Sequence, residues 1–274
     1  MIKNKFGWPL WHWHFEISSK CSLRCPRCPR NELPETLVTS ELDLDFFKSN
    51  FTPEVLQNIS KVSFCGDDGD PIYAKDLLSV LEYLKTHNPQ MNILIVTNGS
   101  YKTPSWWQKL GTTLNQYDEI HWSVDGYDQH SNNQYRINSD WDSIVAGMKA
   151  CKTDALKTWA AIYFRFNENH TNTIKNLAQE YGMDRLQFTL STKFGSFYSH
   201  YNNLDTDILE PTNKKLISNT GRFQRHLFKI TDKKIDYTKS LLANTQKYNQ
   251  TTINARRDAI YRVSEIRASN RPPA

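Results

Sequence analysis

The 274-residue chain is 38% hydrophobic and 23% charged, which excludes a disordered chain and allows a substantial buried core. Its net charge of +5 comes from the end: residues 201–274 hold 14 Lys and Arg against 7 Asp and Glu, whereas residues 1–200 hold 20 against 22. No apolar run nears the ~18–20 residues of a membrane span. Pro9, His12 and His14 interrupt the start, where a secretory leader needs ~7–15 apolar residues, so a cytoplasmic protein with no membrane partner is expected.

From about residue 12 the sequence alternates short apolar, β-branched or aromatic runs with amphipathic stretches. Strands are expected at HFEIS from His14, KVSFC from Lys61, NILIVT from Asn92, EIHWSV from Glu119, AAIYFRF from Ala160 and RLQFTL from Arg185. Helical spacing runs from Asp76 to Leu84, from Trp141 to Met148 and from Thr173 to Tyr181. Ser105 and Asn172 or Thr173 are the expected N-caps, and Gly182 a C-cap. About six such units predict an α/β fold, a partial (β/α)6 TIM-like barrel with its chemistry beyond the C-terminal ends of the strands. After Thr192 the pattern fades: KFGSFYSHYNN reads as a loop, residues 211–268 as helix-compatible and residues 271–274 as a frayed end. A barrel domain over residues 1–200 and a basic, helical extension over residues 201–274 are expected. At the start, Trp11, Trp13 and Phe15 alternate with His12 and His14 and read as packing at the base of the barrel, with a substrate platform or a histidine near the active site as the alternative.

Four segments fall just after successive strands. CSLRCPRC, Cys21 to Cys28, crowds three of the five cysteines into one loop, a pattern for a metal site in a reducing compartment rather than a disulfide framework. Three thiolates hold three irons of a cubane and leave the fourth open to an outside ligand. Structural zinc is the alternative; it normally takes four protein ligands, with Cys65 as the remaining candidate. FCGDDGDPIY, Phe64 to Tyr73, places Gly66 and Gly69 where backbone approaches a ligand closely, with Asp70 beside them. VTNGS, Val96 to Ser100, contributes Asn98, and WSVDGYDQHSNNQYR, Trp122 to Arg136, contributes Ser123, Asp125 and Arg136. Arg136 suits a forked pairing with a carboxylate. Strands five and six add Tyr163, Arg165, Gln187 and Thr189, without fixing which face is inward. Cys65 reads as a small buried hydrophobe, with the alternative that strand two ends there and turns it inward toward the site; Cys151 reads as structural.

The C-x-x-x-C-x-x-C loop resembles the signature of the radical SAM superfamily, and Phe64–Tyr73 resembles that family's glycine-rich motif. EISSKCSLRCPRC and SVDG look like its peptide- and protein-modifying branch. The resemblance spans roughly residues 12–192. It implies a [4Fe–4S] cluster on Cys21, Cys25 and Cys28, with S-adenosylmethionine held by Gly66, Gly69, Asp70, Asn98, Ser123 and Arg136. It also implies reductive cleavage of that cofactor to a 5′-deoxyadenosyl radical that abstracts hydrogen from a peptide or protein. Adenine would meet Phe188 or Leu190; Arg27 stands where the family often has an aromatic residue. A one-electron donor such as flavodoxin or ferredoxin is implied. The chain departs from the branch in having no cysteine after Cys151, so auxiliary clusters are not expected. A nucleotide, RNA or small metabolite is the alternative substrate, and RNA suits the basic end. A solvated helical surface explains that end equally well. A non-catalytic zinc-binding module is the alternative of another class.

Overall fold

The computed structural model describes residues 11–32, 34, 37–66, 68–191, 209–213 and 226–235. Strands β1 (Trp11–Phe15), β2 (Ile59–Phe64), β3 (Asn92–Thr97), β4 (Glu119–Ser123), β5 (Leu156–Tyr163) and β6 (Arg185–Leu190) lie parallel in sequential order. β7 (His226–Lys229) closes the edge antiparallel to β6. Helices α1 (Pro29–Glu32), α2 (Leu44–Asn50) and α3 (Pro53–Leu56) follow β1. α4 (Leu77–His87) and α5 (Pro104–Thr113) follow β2 and β3; α6 (Gln129–Asn133) and α7 (Trp141–Ala150) follow β4; α8 (Thr171–Glu180) follows β5. This is the expected partial barrel: parallel neighbours joined by helical crossovers.

The six parallel strands fall where the sequence places them, with shifted ends. β1 spans Trp11–Phe15 rather than running from His14 to Ser18. β5 begins at Leu156, four residues before Ala160, because Leu156 to Trp159 are all buried and show no alternation. The N-cap of α5 is Thr103, not Ser105: Thr103 Oγ1 accepts from Trp106 N at 3.3 Å, and Pro104 takes the first helical position. α8 starts at Thr171 with His170 as its cap residue, ahead of Asn172 and Thr173. Gly182 adopts φ 74° directly after that helix, as its C-cap role requires. β7 lies in the stretch read as helix-compatible, so residues 226–229 are corrected to strand; pairing with β6 satisfies backbone groups that a helix would satisfy internally. The segment KFGSFYSHYNN and most of the basic end lie outside the described residues. Among the described residues no helix is long and apolar enough to cross a membrane.

The two faces of the sheet differ in kind. Phe15, Val62, Phe64, Ile93, Ile95, Ile120, Trp122, Trp159, Tyr163 and Phe188 join Leu81, Trp107, Leu110, Ile144, Met148 and Ile174 of the helices in one core. Residues alternating with these point the other way. That face is polar: His12 Nε2 meets Ser63 Oγ at 2.8 Å, and Glu119 meets Lys61 Nζ at 3.3 Å and His121 Nε2 at 3.4 Å. Burial works to raise the Glu119 pKa, but the hydrogen bond from His121 and the Lys61 charge hold it down to about 2.

A carboxyl held below its ordinary value contributes stability that is full above that value and is lost as pH falls through the folded one. Urea midpoints should therefore drop between about pH 4.5 and about pH 2, and Glu119→Gln should flatten that drop. An unchanged acid limb in the variant would show that Glu119 does not supply it.

Candidate functional site

The polar face opens at the C-terminal ends of the strands into a cavity of about 620 Å³. Nine of the ten residues singled out from the motifs line it: Cys21, Cys25, Cys28, Gly66, Gly69, Asp70, Asn98, Ser123 and Arg136; the tenth, Asp125, is buried behind it. They come from the ends of β1, β2, β3 and β4. Of the residues named from the sequence on strands five and six, Thr189 and Leu190 line the cavity, and Ile162 of β5 joins them. Tyr163 and Phe188 stack on each other at 4.2 Å in the core behind the sheet, so Phe188 is corrected as an apolar wall; Leu190 provides one. Arg165 lies beyond its strand, with Nε donating to the Glu210 carbonyl at 3.2 Å.

In the loop after β1, Cys21, Leu23, Cys25, Arg27 and Cys28 line the cavity while Arg24 is exposed. The backbone is pinned from outside. Arg24 N donates to the Ile137 carbonyl at 3.0 Å, and Arg30 donates from Nη1 to the Cys21 carbonyl at 3.1 Å and from Nε to the Asp68 carbonyl at 3.0 Å. Asn31 Nδ2 donates to the Cys25 carbonyl at 3.1 Å. Burial pushes the Cys21 thiol up to about 12, helped by nearby Asp70, and burial likewise raises Cys25. Buried thiols of this kind release their protons when a metal takes up the sulfur charge.

The second loop is pressed onto the first. A Cβ on Gly69 would sit 2.0 Å from the Ser18 carbonyl oxygen, so only glycine permits the contact. Asp70 N then donates to the Lys20 carbonyl at 2.9 Å, one residue before Cys21. The Asp70 side chain is 5% exposed. Its Oδ1 accepts from Thr97 Oγ1 at 2.8 Å and Ile72 N at 3.2 Å, and its Oδ2 from Asn98 N and Nδ2, both at 2.6 Å. Both oxygens are thus engaged within the protein, and burial still raises the Asp70 pKa against them. The result is a fixed Asn98 whose Nδ2 lies 3.6 Å from Cys21 Sγ.

A parallel arrangement stands on the other side. Asp125, fully buried, accepts from Arg136 Nε at 2.6 Å and from Ile162 N at 2.7 Å. Burial opposes the Arg136 charge, but Asp125 beside it raises the pKa overall. Arg136 Nη1 reaches to 3.9 Å from Cys25 Sγ. Asn167 Nδ2 donates to the carbonyls of Asp125 and Ile162 at 2.7 and 2.8 Å, locking the turn. The motif reading missed Asn167, whose single side chain carries no pattern. His14 and Cys65 both line the cavity, so the less favoured alternative holds for each: Cys65 is half-buried rather than a core hydrophobe, and His14 stands at the cavity rather than the base.

Removing the Asp70 carboxylate would strand the Thr97 hydroxyl and two Asn98 donors in a buried place. Asp70→Ala should lower unfolding free energy by roughly 2–4 kcal/mol, read by urea denaturation of the metal-free protein. A loss below about 0.5 kcal/mol, typical of an exposed position, would contradict this network.

No family model matches the chain, and no curated protein matches it in sequence. Solved structures do match in fold. SuiB of Streptococcus suis bound to S-adenosylmethionine aligns with TM-score 0.54 at 16% identity over 74% of this chain and 44% of that one. SuiB bound to the precursor peptide SuiA aligns with TM-score 0.55 at 16% identity over 72% and 42%. anSMEcpe with bound AdoMet and Cp18Cys peptide aligns with TM-score 0.50 at 18% identity over 70% and 55%. TYW1 with a lysine–pyruvate adduct aligns with TM-score 0.54 at 12% identity over 80% and 79%. The chain thus spans about half the length of SuiB and anSMEcpe. Its fold is the partial barrel that these structures share.

Proposed function

We propose that this chain is a radical SAM enzyme holding one [4Fe–4S] cluster on Cys21, Cys25 and Cys28, with a peptide or protein as substrate. The observation that carries this reading is convergence: three thiols, Asn98 and Arg136, from three different strand ends, face one cavity. When bound, the cluster and S-adenosylmethionine together supply a one-electron carbon–sulfur cleavage that yields a hydrogen-abstracting radical; the protein supplies position and environment.

The donor set fits a cluster better than a single ion. Three thiolates hold three irons of a cubane and leave the fourth open, whereas structural zinc normally takes four protein ligands. The Arg136 guanidinium beside Cys25 and the Asn98 amide beside Cys21 temper the negative charge that three thiolates bring.

Within the cavity, Ser123 presents a hydroxyl and Arg136 a guanidinium for the carboxylate of S-adenosylmethionine. Gly66 leaves backbone open toward its amino group. Asp70 acts as a positioning residue, through Asn98 and the loop, since its own oxygens are engaged. Val96, Ile162 and Leu190 give an apolar wall for adenine and help exclude water. A peptide substrate draws support from the peptide complexes of SuiB and anSMEcpe.

Anaerobic reconstitution with iron and sulfide should give a brown protein that forms 5′-deoxyadenosine with dithionite and S-adenosylmethionine. Alanine at Cys21, Cys25 or Cys28 should abolish both. A colourless protein carrying stoichiometric zinc and forming no such product would sink the reading. Arg136→Lys, which loses the fork, should weaken S-adenosylmethionine binding about tenfold by equilibrium dialysis. Equal binding would remove Arg136 from the cofactor site.

A further inference from the structure

Residues 209–213 pack against the cysteine loop, although they stand far from it in sequence. Leu209, 5% exposed, joins Leu23, Cys25, Tyr135 and Phe164 in a second apolar cluster, and Cys21 and Cys28 pack on it. Leu23, Cys25 and Tyr135 also line the cavity, whereas Leu209 and Phe164 do not. These two side chains therefore back the cysteines rather than face the ligand space.

The turn after β5 holds this short segment. Arg165 N donates to the Leu209 carbonyl at 3.0 Å. The Glu168 carboxylate does the rest: Oε2 accepts from Thr212 N at 2.7 Å and Asn213 N at 2.8 Å, and Oε1 accepts from Thr212 Oγ1 at 2.9 Å. Glu168 is itself buried and fixed, since its N donates to the Phe164 carbonyl at 2.9 Å. Its neighbour Asn167 is locked to the carbonyls of Asp125 and Ile162. One buried leucine and one buried proline, Pro211, recover less than the ordering of five residues costs. Charge-assisted bonds to Glu168 make up the difference.

We propose that Glu168 is a positioning residue for the cluster: it clamps residues 209–213 so that Leu209 closes the cysteine loop against water on the side away from the cavity. The inference rests on the cluster reading above and deepens it. Reduction adds negative charge to a site that already carries three thiolates. An apolar cover disfavours that charge and keeps the potential low, as reductive cleavage of a sulfonium demands. The same cover keeps water and chelators from the iron bound at Cys25.

Alkylation of the metal-free protein tests the clamp. Cys25 is 7% exposed, while Cys151 is fully buried in the main core and reports global opening. Glu168→Gln keeps the shape but turns one acceptor into a donor facing the N–H groups of the segment. In that variant iodoacetamide should label Cys25 several-fold faster than in the parent protein, with Cys151 unchanged, read by peptide mass spectrometry. Leu209→Ala should do the same, and Leu209→Met, which conserves volume, should restore the parent rate. Equal labelling of Cys25 in parent and Glu168→Gln overturns the proposal. So does equal acceleration of Cys25 and Cys151, which would make Glu168 a residue of global stability alone. In the reconstituted protein, Glu168→Gln should lose iron to a ferrous chelator several-fold faster. A redox titration followed by electron paramagnetic resonance should place its cluster at a less negative potential. Unchanged iron loss and potential overturn the proposal. A parent protein that takes up no iron–sulfur cluster overturns the cluster reading instead, and the alkylation result stands apart from it.

Discussion

The buried Asp70 carboxylate, together with the contact at Gly69, ties the functional loops into one piece. Gly69 lets the loop after β2 lie against the backbone at Ser18 and Ser19, and Asp70 N bonds to the carbonyl of Lys20. The same residue then reaches the end of β3 and takes the Thr97 hydroxyl and both Asn98 donors. Three strand ends are thereby fixed relative to one another. A cysteine loop attached only to β1 would otherwise depend on one short strand for its position.

The second constraint is the division of the sheet into two faces. Aromatic and branched residues cover the helical side in a continuous core. The opposite face carries His12, Lys61, Ser63, Glu119 and His121, which satisfy one another deep in the barrel and leave its upper rim free for ligands. Buried polar groups are costly unless paired, and these five pair with one another, whereas the Thr158 hydroxyl beside His121 makes no hydrogen bond among the described residues. Asp125 plays a comparable part near the rim: it holds a guanidinium close to a cysteine sulfur without leaving a buried charge alone.

Much of this was legible in the residue order. The six parallel strands, the cap at Gly182 and the segments at four strand ends follow from periodicity and turn chemistry, which act over a few residues. β5 was placed late because burial on both sides erases alternation. The strand at His226–Lys229 was missed because its pairing with β6 is non-local and its sequence is too short to announce itself. Asp70 illustrates the same limit within the site. Its position in a glycine-rich loop marked it as important, but whether its oxygens face a ligand or Asn98 depends on where β3 ends.

The sequence by itself determined the alternation of strand and helix, the cysteine loop after the first strand and the absence of cysteines after Cys151. These are local or compositional properties. Tertiary structure alone decided which strand face is inward, hence that Thr189 reaches the cavity while Tyr163 and Phe188 do not. It also decided that Cys65 and His14, 51 residues apart, meet at the edge of the cavity that holds the cysteine triad. Such meetings depend on the register between neighbouring strands, which buried side chains on both set together and which no single stretch of sequence contains.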